Sequence, residues 1–424
     1  MHHAPVRGHM RFIHAADLHL DSPLSGLRER AGEQAEKLIG ATRRAFEKLV
    51  DFAVDERVDL VVIAGDVFDG DWPDHGTGLF FVKMLARLNA AGIPVAMIRG
   101  NHDAASVISR RLSWPSNVRE FSSRAPETWT PPGLGVAIHG QSFADRAIPH
   151  NLAATYPEPV PGLFNIGLLH TSATGRPGHD TYAPCELRDL VAKGYDYWAL
   201  GHVHTREVLC EAPHVIFPGN LQGRHVNEPG AKGFTLVTVE GGRVRQVEPI
   251  PVDVVRWARV AVDVSSASTL DETCPLIGRA LKAAVDEADG RMLAVRLVLT
   301  GASPAHRVLA GDPERLEAEC SSLALQAQGD VWIERVDVET VLPEAEYVPS
   351  EGFNDLVQLL REVRTDPDEC AVIREALEQG LGKLPTGARA KSRLDDLAPD
   401  QMERILADAE ALLLHHLTTE PVQP

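Results

Sequence analysis

Asp59-Leu60-Val61-Val62-Ile63-Ala64-Gly65-Asp66-Val67-Phe68-Asp69 is the stretch that decides the fold. Its first half, Leu60–Ala64, is apolar at every position, the pattern of a strand buried on both faces of a parallel sheet. Its second half breaks on a glycine, which lets the backbone turn tightly, and then presents two carboxylates. A buried strand running into a polar loop is how an α/β sheet gathers a functional site.

The same pattern repeats on both sides. Arg11–Ala16 reads as a strand that runs into Asp17-Leu18-His19. Ile93–Ile98 runs into Gly100-Asn101-His102-Asp103, Phe164–Leu169 ends on His170, and Tyr197–Leu200 runs into Gly201-His202-Val203-His204. Between them, Thr42–Val54 and Leu79–Ala91 carry apolar residues at helical spacing. His214–Phe217, Phe234–Val239 and Val244–Pro249 follow as successive strands. Strands interleaved with helices and then strands in succession predict a layered α/β sandwich over residues 10–252.

Near Pro249–Val255 the character changes. Strand signals at Arg259–Val264, Met292–Leu299 and Asp330–Val338, with helices at Leu270–Ala288 and Pro313–Gln326, predict a small α/β capping domain over 253–341. Leu342–Pro349 reads as a linker. Helices at Asn354–Val363, Asp368–Gly380 and Pro399–His416 make 342–424 a helical C-terminal region. Residues 1–9 read as a disordered extension or a cloning remnant.

Composition narrows the partners. The net charge of −18 speaks against nucleic-acid binding by electrostatics alone, although metal ions in a site supply local positive charge. No run approaches the roughly 18–20 apolar residues of a membrane span, so no membrane partner is expected. The five cysteines are scattered without a CxxC pair, which fits a reducing, cytoplasmic compartment and unpaired thiols.

The loop residues carry metal chemistry. Asp17 and His19 stand two apart just past a strand, so both side chains can point to one side. A carboxylate with an imidazole suits a divalent ion such as manganese, iron or zinc. Asp66 has two oxygens and can bridge two ions, and Asn101 offers a neutral carbonyl oxygen. His202 and His204 repeat the two-apart geometry, and His170 closes its strand. His102 follows Asn101 directly, which suits contact with substrate better than binding the same ion, with Asp103 placed to orient it.

The ordered set D-x-H, G-D-x-x-D, G-N-H-D, H, G-H-x-H resembles the calcineurin-like metallophosphoesterase superfamily over Arg11–Val239. The opening Phe12-Ile13-His14-Ala15-Ala16-Asp17-Leu18-His19-Leu20-Asp21 is similar to the SbcD-type DNA repair exonuclease family. Pro218-Gly219-Asn220-Leu221-Gln222-Gly223-Arg224-His225, followed by Lys232-Gly233-Phe234, looks like its YhaO branch. The resemblance implies a layered β-sandwich with helices on both faces and two divalent ions, with manganese first in expectation. Asp17, His19, Asp66 and His204 would hold one ion. Asp66, Asn101, His170 and His202 would hold the other. His102, backed by Asp103, would act on the scissile phosphate or the leaving oxygen. It further implies DNA as substrate, an SMC-like coiled-coil ATPase as partner, and a homodimer. Some family nucleases carry histidine where this chain has Asp69.

Arg224 and His225 sit in a Gly-rich loop soon after His204 and are candidates for substrate contact. Arg110 and Arg111, close behind Asp103, would steer a phosphate backbone or simply be surface arginines. His14 reads as a satisfied core histidine, His139 as a strand-end residue more in keeping with a plain structural role than with a place close behind the site, and His179 as an exposed loop residue. Two other functions compete for the same residues: a small-molecule phosphodiesterase or phosphatase, and a non-catalytic regulatory subunit that keeps the fold.

Overall fold

A computed structural model describes residues 8–22, 34–69, 76–105, 112–173, 182–343, 351–383, 402–403, 405–407 and 409–410. The chain forms two compact units that divide between Trp257 and Ala258.

The first unit is built on two six-stranded sheets. One contains β1 (His9–Ala15), β2 (Leu60–Ala64), β3 (Val95–Ile98), β4 (Val118–Glu120), β11 (Gly233–Glu240) and β12 (Arg243–Pro251), in the order β12-β11-β1-β2-β3-β4. Here β1 to β4 run parallel, while β11 joins β1 and β12 antiparallel. The other contains β5 (Glu127–Trp129), β6 (Val136–Gly140), β7 (Phe164–His170), β8 (Tyr197–Gly201), β9 (Glu207–Glu211) and β10 (His214–Phe217), in the order β5-β6-β7-β8-β10-β9. Its inner strands are parallel and its two edge strands antiparallel.

The period of two along each strand assigns the layers. Phe12, Leu60, Val62, Ala64 and Ile98 face the second sheet and pack with Ile138, Phe164, Ile166, Leu168, Tyr197 and Ile216. The alternate residues Ile13, Val61, Ile63 and Val95 face outward onto the helices Ala41–Asp55 and Gly76–Ala90, which bury Phe46, Leu49, Val50, Phe81, Leu85 and Leu88. The outer face of the second sheet, with Leu169, Trp198, Leu200 and Phe217, packs on Leu190 of the short helix Leu187–Ala192 and on Leu152 and Tyr156. The result is helix, sheet, sheet, helix: the layered sandwich that the sequence predicts. His14 is a core residue within it, bonded through Nδ1 to the Tyr197 hydroxyl (3.0 Å) and through Nε2 to the Leu200 carbonyl (3.0 Å). Burial then holds its pKa down at about 3.

The second unit carries β13 (Val255–Asp263, which begins in the first unit), β14 (Met292–Ala302) and β15 (Val331–Val341), with β14 and β15 parallel. Two helices, Leu270–Ala288 and Pro313–Gln326, pack Ile277, Leu281, Leu316 and Cys320 against Leu293, Val295, Leu297 and Leu299. Both helices have the ends that the sequence predicts, and both are capped at their N-termini. Thr269 and Asp312 accept from the backbone N–H groups of Glu272 and Arg315. Helices Glu351–Thr365 and Pro367–Gly382 follow.

Some elements were not expected: β4, β5, β9 and the short helices Leu187–Ala192 and His306–Gly311. Most of the proposed linker and of the proposed Pro399–His416 helix lies outside the described residues. Within that stretch, 402–403, 405–407 and 409–410 are helical. No helix among the described residues is long and apolar enough to cross a membrane.

Candidate metal centre

Five loops leave the C-terminal ends of β1, β2, β3, β7 and β8, and their side chains converge across the two sheets. The first two loops are laced together by backbone bonds: Asp17 N–H to Gly65 O (3.0 Å), His19 N–H to Asp66 O (3.0 Å) and Leu20 N–H to Val67 O (2.9 Å). That lacing holds Asp17, His19 and Asp66 at φ of 51°, 41° and 52°. Such left-handed geometry costs an L-residue about 1–2 kcal/mol, and Asp tolerates it better than most. Two glycines admit the close approach. A Cβ at Gly65 (φ 89°) would lie 2.7 Å from His170 Nδ1, and one at Gly201 would lie 2.0 Å from the Ala64 carbonyl oxygen.

Among the described residues three groups of donors result: Asp17, His19 and His204; Asp66, His170 and His202; and His19, Asp69 and His102. In the first, His19 Nε2 and His204 Nε2 are 3.1 Å apart. In the second, His170 Nε2 lies 2.9 Å from Asn101 Oδ1 and 3.4 Å from Asp66 Oδ2. Two donors on one ion, each about 2.0–2.2 Å from it at near-tetrahedral to right angles, lie roughly 3.0–3.4 Å apart, so these spacings fit. Asp66 stands between the groups. Its Oδ1 accepts the His102 backbone N–H (2.9 Å), while Oδ2 faces His170 and, at 4.0 Å, His19. The buried His19 Nδ1 has no hydrogen-bond acceptor, Asp69 Oδ1 being 3.8 Å away. His19 turns its other nitrogen, Nε2, to His204, so the donor spacing and not this unpartnered atom marks it as a candidate ligand.

The electrostatics follow from burial and proximity. Burial works against the charged forms of Asp66 and His170, yet their mutual attraction wins. It holds Asp66 far below the usual carboxylate range and lifts His170 to about 9. Burial raises the Asp17 pKa, against the pull of His204 and His170. Burial, then the Arg224 charge, keeps His19 well below its ordinary value.

Adjacency in sequence pairs His102 with Asp103, but the folded chain pairs it with Asp69. His102 Nδ1 lies 2.7 Å from Asp69 Oδ1. The Asp103 carboxylate instead accepts backbone N–H groups from Val67 (3.1 Å), Phe68 (2.8 Å) and Gly100 (3.0 Å), tying the second and third loops together. Burial and the Asp66 charge push Asp103 up to about 7. The Asp69 hydrogen bond raises the pKa of His102, which is 34% exposed at the rim.

Arg224 lies at the centre, with Nη2 3.0 Å from Glu228 Oε1 and 3.2 Å from His204 Nδ1, and Nη1 3.4 Å from Asp69 Oδ2. His225 is half-exposed, with its Nε2 3.6 Å from Glu228. His139 bonds Thr128 and Asn165 and stacks on Tyr195, away from the donor groups. Arg110, Arg111 and His179 lie outside the described residues. Glu228, which the sequence reading passed over, is buried and bonds His204 Nδ1 at 2.7 Å. The one sequence signal for it is its place in the polar loop after Pro218.

Family comparison agrees with this geometry. A family described as calcineurin-like phosphoesterase matches residues 10–206, and one described as metallophosphoesterase YhaO, middle domain, matches residues 257–341. The metallophosphoesterase YhaO of Bacillus subtilis (strain 168) is 38% identical over 338 residues, covering 78% of this chain and 82% of that protein. The DNA double-strand break repair protein Mre11 of Methanopyrus kandleri is 29% identical over 327 residues, covering 70% of this chain and 66% of that protein. A dimetal phosphatase from Danio rerio aligns over 59% of this chain and 100% of its own, at 14% identity and a TM-score of 0.35. Fold, donor set and family together define a metal-dependent phosphoester hydrolase. More narrowly, the chain belongs to the YhaO family of calcineurin-like metallophosphoesterases.

Proposed function

We propose that this chain is a two-metal DNA nuclease of the repair type, using manganese in the cytoplasm alongside an SMC-like coiled-coil ATPase. The observation that carries the reading is the pair of carboxylate–histidine groups with Asp66 between them and His102 at the rim. The likeness to the Mre11 protein of Methanopyrus kandleri adds the substrate class.

Asp17, His19, Asp66 and His204 would hold one ion, and Asp66, Asn101, His170 and His202 the other. When bound, the ions supply positive charge to phosphate oxygens and make water acidic enough to attack phosphorus near neutral pH. The chain's own residues do the rest. Asp69 holds His102 through Nδ1, leaving Nε2 to hand a proton to the departing sugar oxygen. Asp103 fixes the backbone from which His102 projects, through the Gly100, Val67 and Phe68 amides. Arg224 adds a fixed positive charge beside His204 and Asp69, suited to a phosphate diester.

The test is hydrolysis of end-labelled single- and double-stranded DNA with manganese, using His102→Gln as control. Metal-dependent cleavage that the variant loses is expected. Cleavage of a chromogenic phosphodiester but not of DNA, with or without the ATPase, would replace the nuclease reading with that of a small-molecule phosphodiesterase, which the net charge of −18 favours.

A further inference from the structure

We infer that Glu228 is a positioning residue that sets how tightly the site served by His204 holds its ion. The inference rests on the metal-centre reading above and deepens it.

Glu228 is 5% exposed and accepts four hydrogen bonds. Oε1 takes His204 Nδ1 (2.7 Å) and Arg224 Nη2 (3.0 Å), and Oε2 takes the Arg224 backbone N–H (2.8 Å) and Asn220 Nδ2 (2.9 Å). An ionised carboxylate has about four lone-pair sites and no proton to give. The other three partners can only donate, and the short 2.7 Å contact with Oε1 places a proton on His204 Nδ1, the Arg224 Nη2 hydrogen turning to Oε1 (3.0 Å) and not to Nδ1 (3.2 Å). The His204 Nε2 lone pair then faces His19 Nε2, 3.1 Å away. A ligand histidine has to present a bare nitrogen to the ion, and the group on its other nitrogen decides which tautomer it holds.

The loop is anchored so that this geometry is kept. Lys232 Nζ donates to the His204 carbonyl (2.8 Å), and Gln222 bonds the backbone of Val254 and Val255. Trp257 Nε1 donates to Gly223 O (2.9 Å). Arg224 continues the chain of contacts from Glu228 to Asp69, the carboxylate that holds His102. A glutamine at 228 would break the arrangement at one point. Its amide NH2 would either oppose two donors or donate to His204 Nδ1, which moves the imidazole proton to Nε2 and blocks the ligand nitrogen.

The experiment is manganese binding to chelator-stripped protein, read as stoichiometry and as two affinities, for wild type, Glu228→Gln, His204→Ala and the double variant. Glu228→Gln should weaken one ion by about 10–100-fold and leave the other within about threefold. In the His204→Ala background the same change should add nothing, because its effect passes through that ring. If Glu228→Gln binds both ions like wild type, or weakens binding equally with His204 absent, the assignment of Glu228 is wrong while the metal centre stands. A wild type that binds fewer than two ions overturns the metal-centre reading and this inference with it. Glu228→Asp keeps an acceptor-only side chain and should bind more tightly than the Gln variant. The same cycle run with Asp decides the matter if the Gln variant does not fold.

Discussion

The two halves of the metal centre are positioned by different means. On one side, His170 is the last residue of β7, and its Nδ1 bonds the Ala64 carbonyl of β2 (2.8 Å). Backbone holds that imidazole, and the sheets themselves set its place. On the other side, His204 lies in a loop and is aimed by the Glu228 side chain, with Arg224 and Lys232 alongside. A backbone acceptor cannot titrate or be replaced by a side-chain mutation; a carboxylate can be. The His170 side should therefore respond to changes in packing, and the His204 side to changes in charge and proton placement.

The largest expected effect comes from the residue the halves share. Asp66→Asn should weaken both ions by more than about 100-fold each and abolish hydrolysis. Retention of two ions, counted by elemental analysis after dialysis, would deny the bridging role. Next is His102→Gln, which should cut turnover by about 10²–10⁴ with both ions kept; unchanged turnover in a metal-replete assay removes His102 from the chemistry.

Gly201→Ala probes the backbone-held half. Its Cβ would meet the Ala64 oxygen at 2.0 Å and His170 Nδ1 at 2.9 Å. Overpacking of this kind costs about 1–3 kcal/mol in denaturant titrations, and the ion served by His170 should weaken more than the one served by His204. Equal weakening of the two would erase the contrast drawn above.

The smallest effect lies outside the site. His14 has a pKa of about 3 in the folded chain against 6.5 when exposed. The unfolded chain therefore binds the extra proton, and stability is lost as pH falls below 6.5, at up to about 1.4 kcal/mol per pH unit. His14→Gln should flatten that slope between pH 6 and 4, measured by denaturant midpoints. An identical slope would show that other groups dominate.

What the sequence made legible was whatever is contiguous. Each ligand follows an apolar strand, so the ends of β1, β2, β3, β7 and β8 could be picked out and their residues grouped. Helices Leu270–Ala288 and Pro313–Gln326 were legible as contiguous stretches between strand signals. Strands β4 and β5 were not, since three half-exposed residues carry no readable period. The partner of His102 was misread for a related reason. Asp103 is adjacent in sequence, but the turn Asn101–Ala105 aims it back at the loop amides, while Asp69 arrives from β2. Glu228 reaches His204 across 24 positions through a loop with no period, and only the fold brings them together.

The donor set runs from Asp17 to His204, with members from both sheets and the two faces of one inter-sheet core. Ions held there would act as rivets along the open edge of the sandwich, fastening layers that are otherwise joined by apolar packing. A ligand that binds only the folded chain adds about 2.7 kcal/mol when present at a hundred times its dissociation constant. The heat resistance of this protein should accordingly serve as a gauge of free metal in its surroundings, falling when the supply runs short and before any substrate is involved.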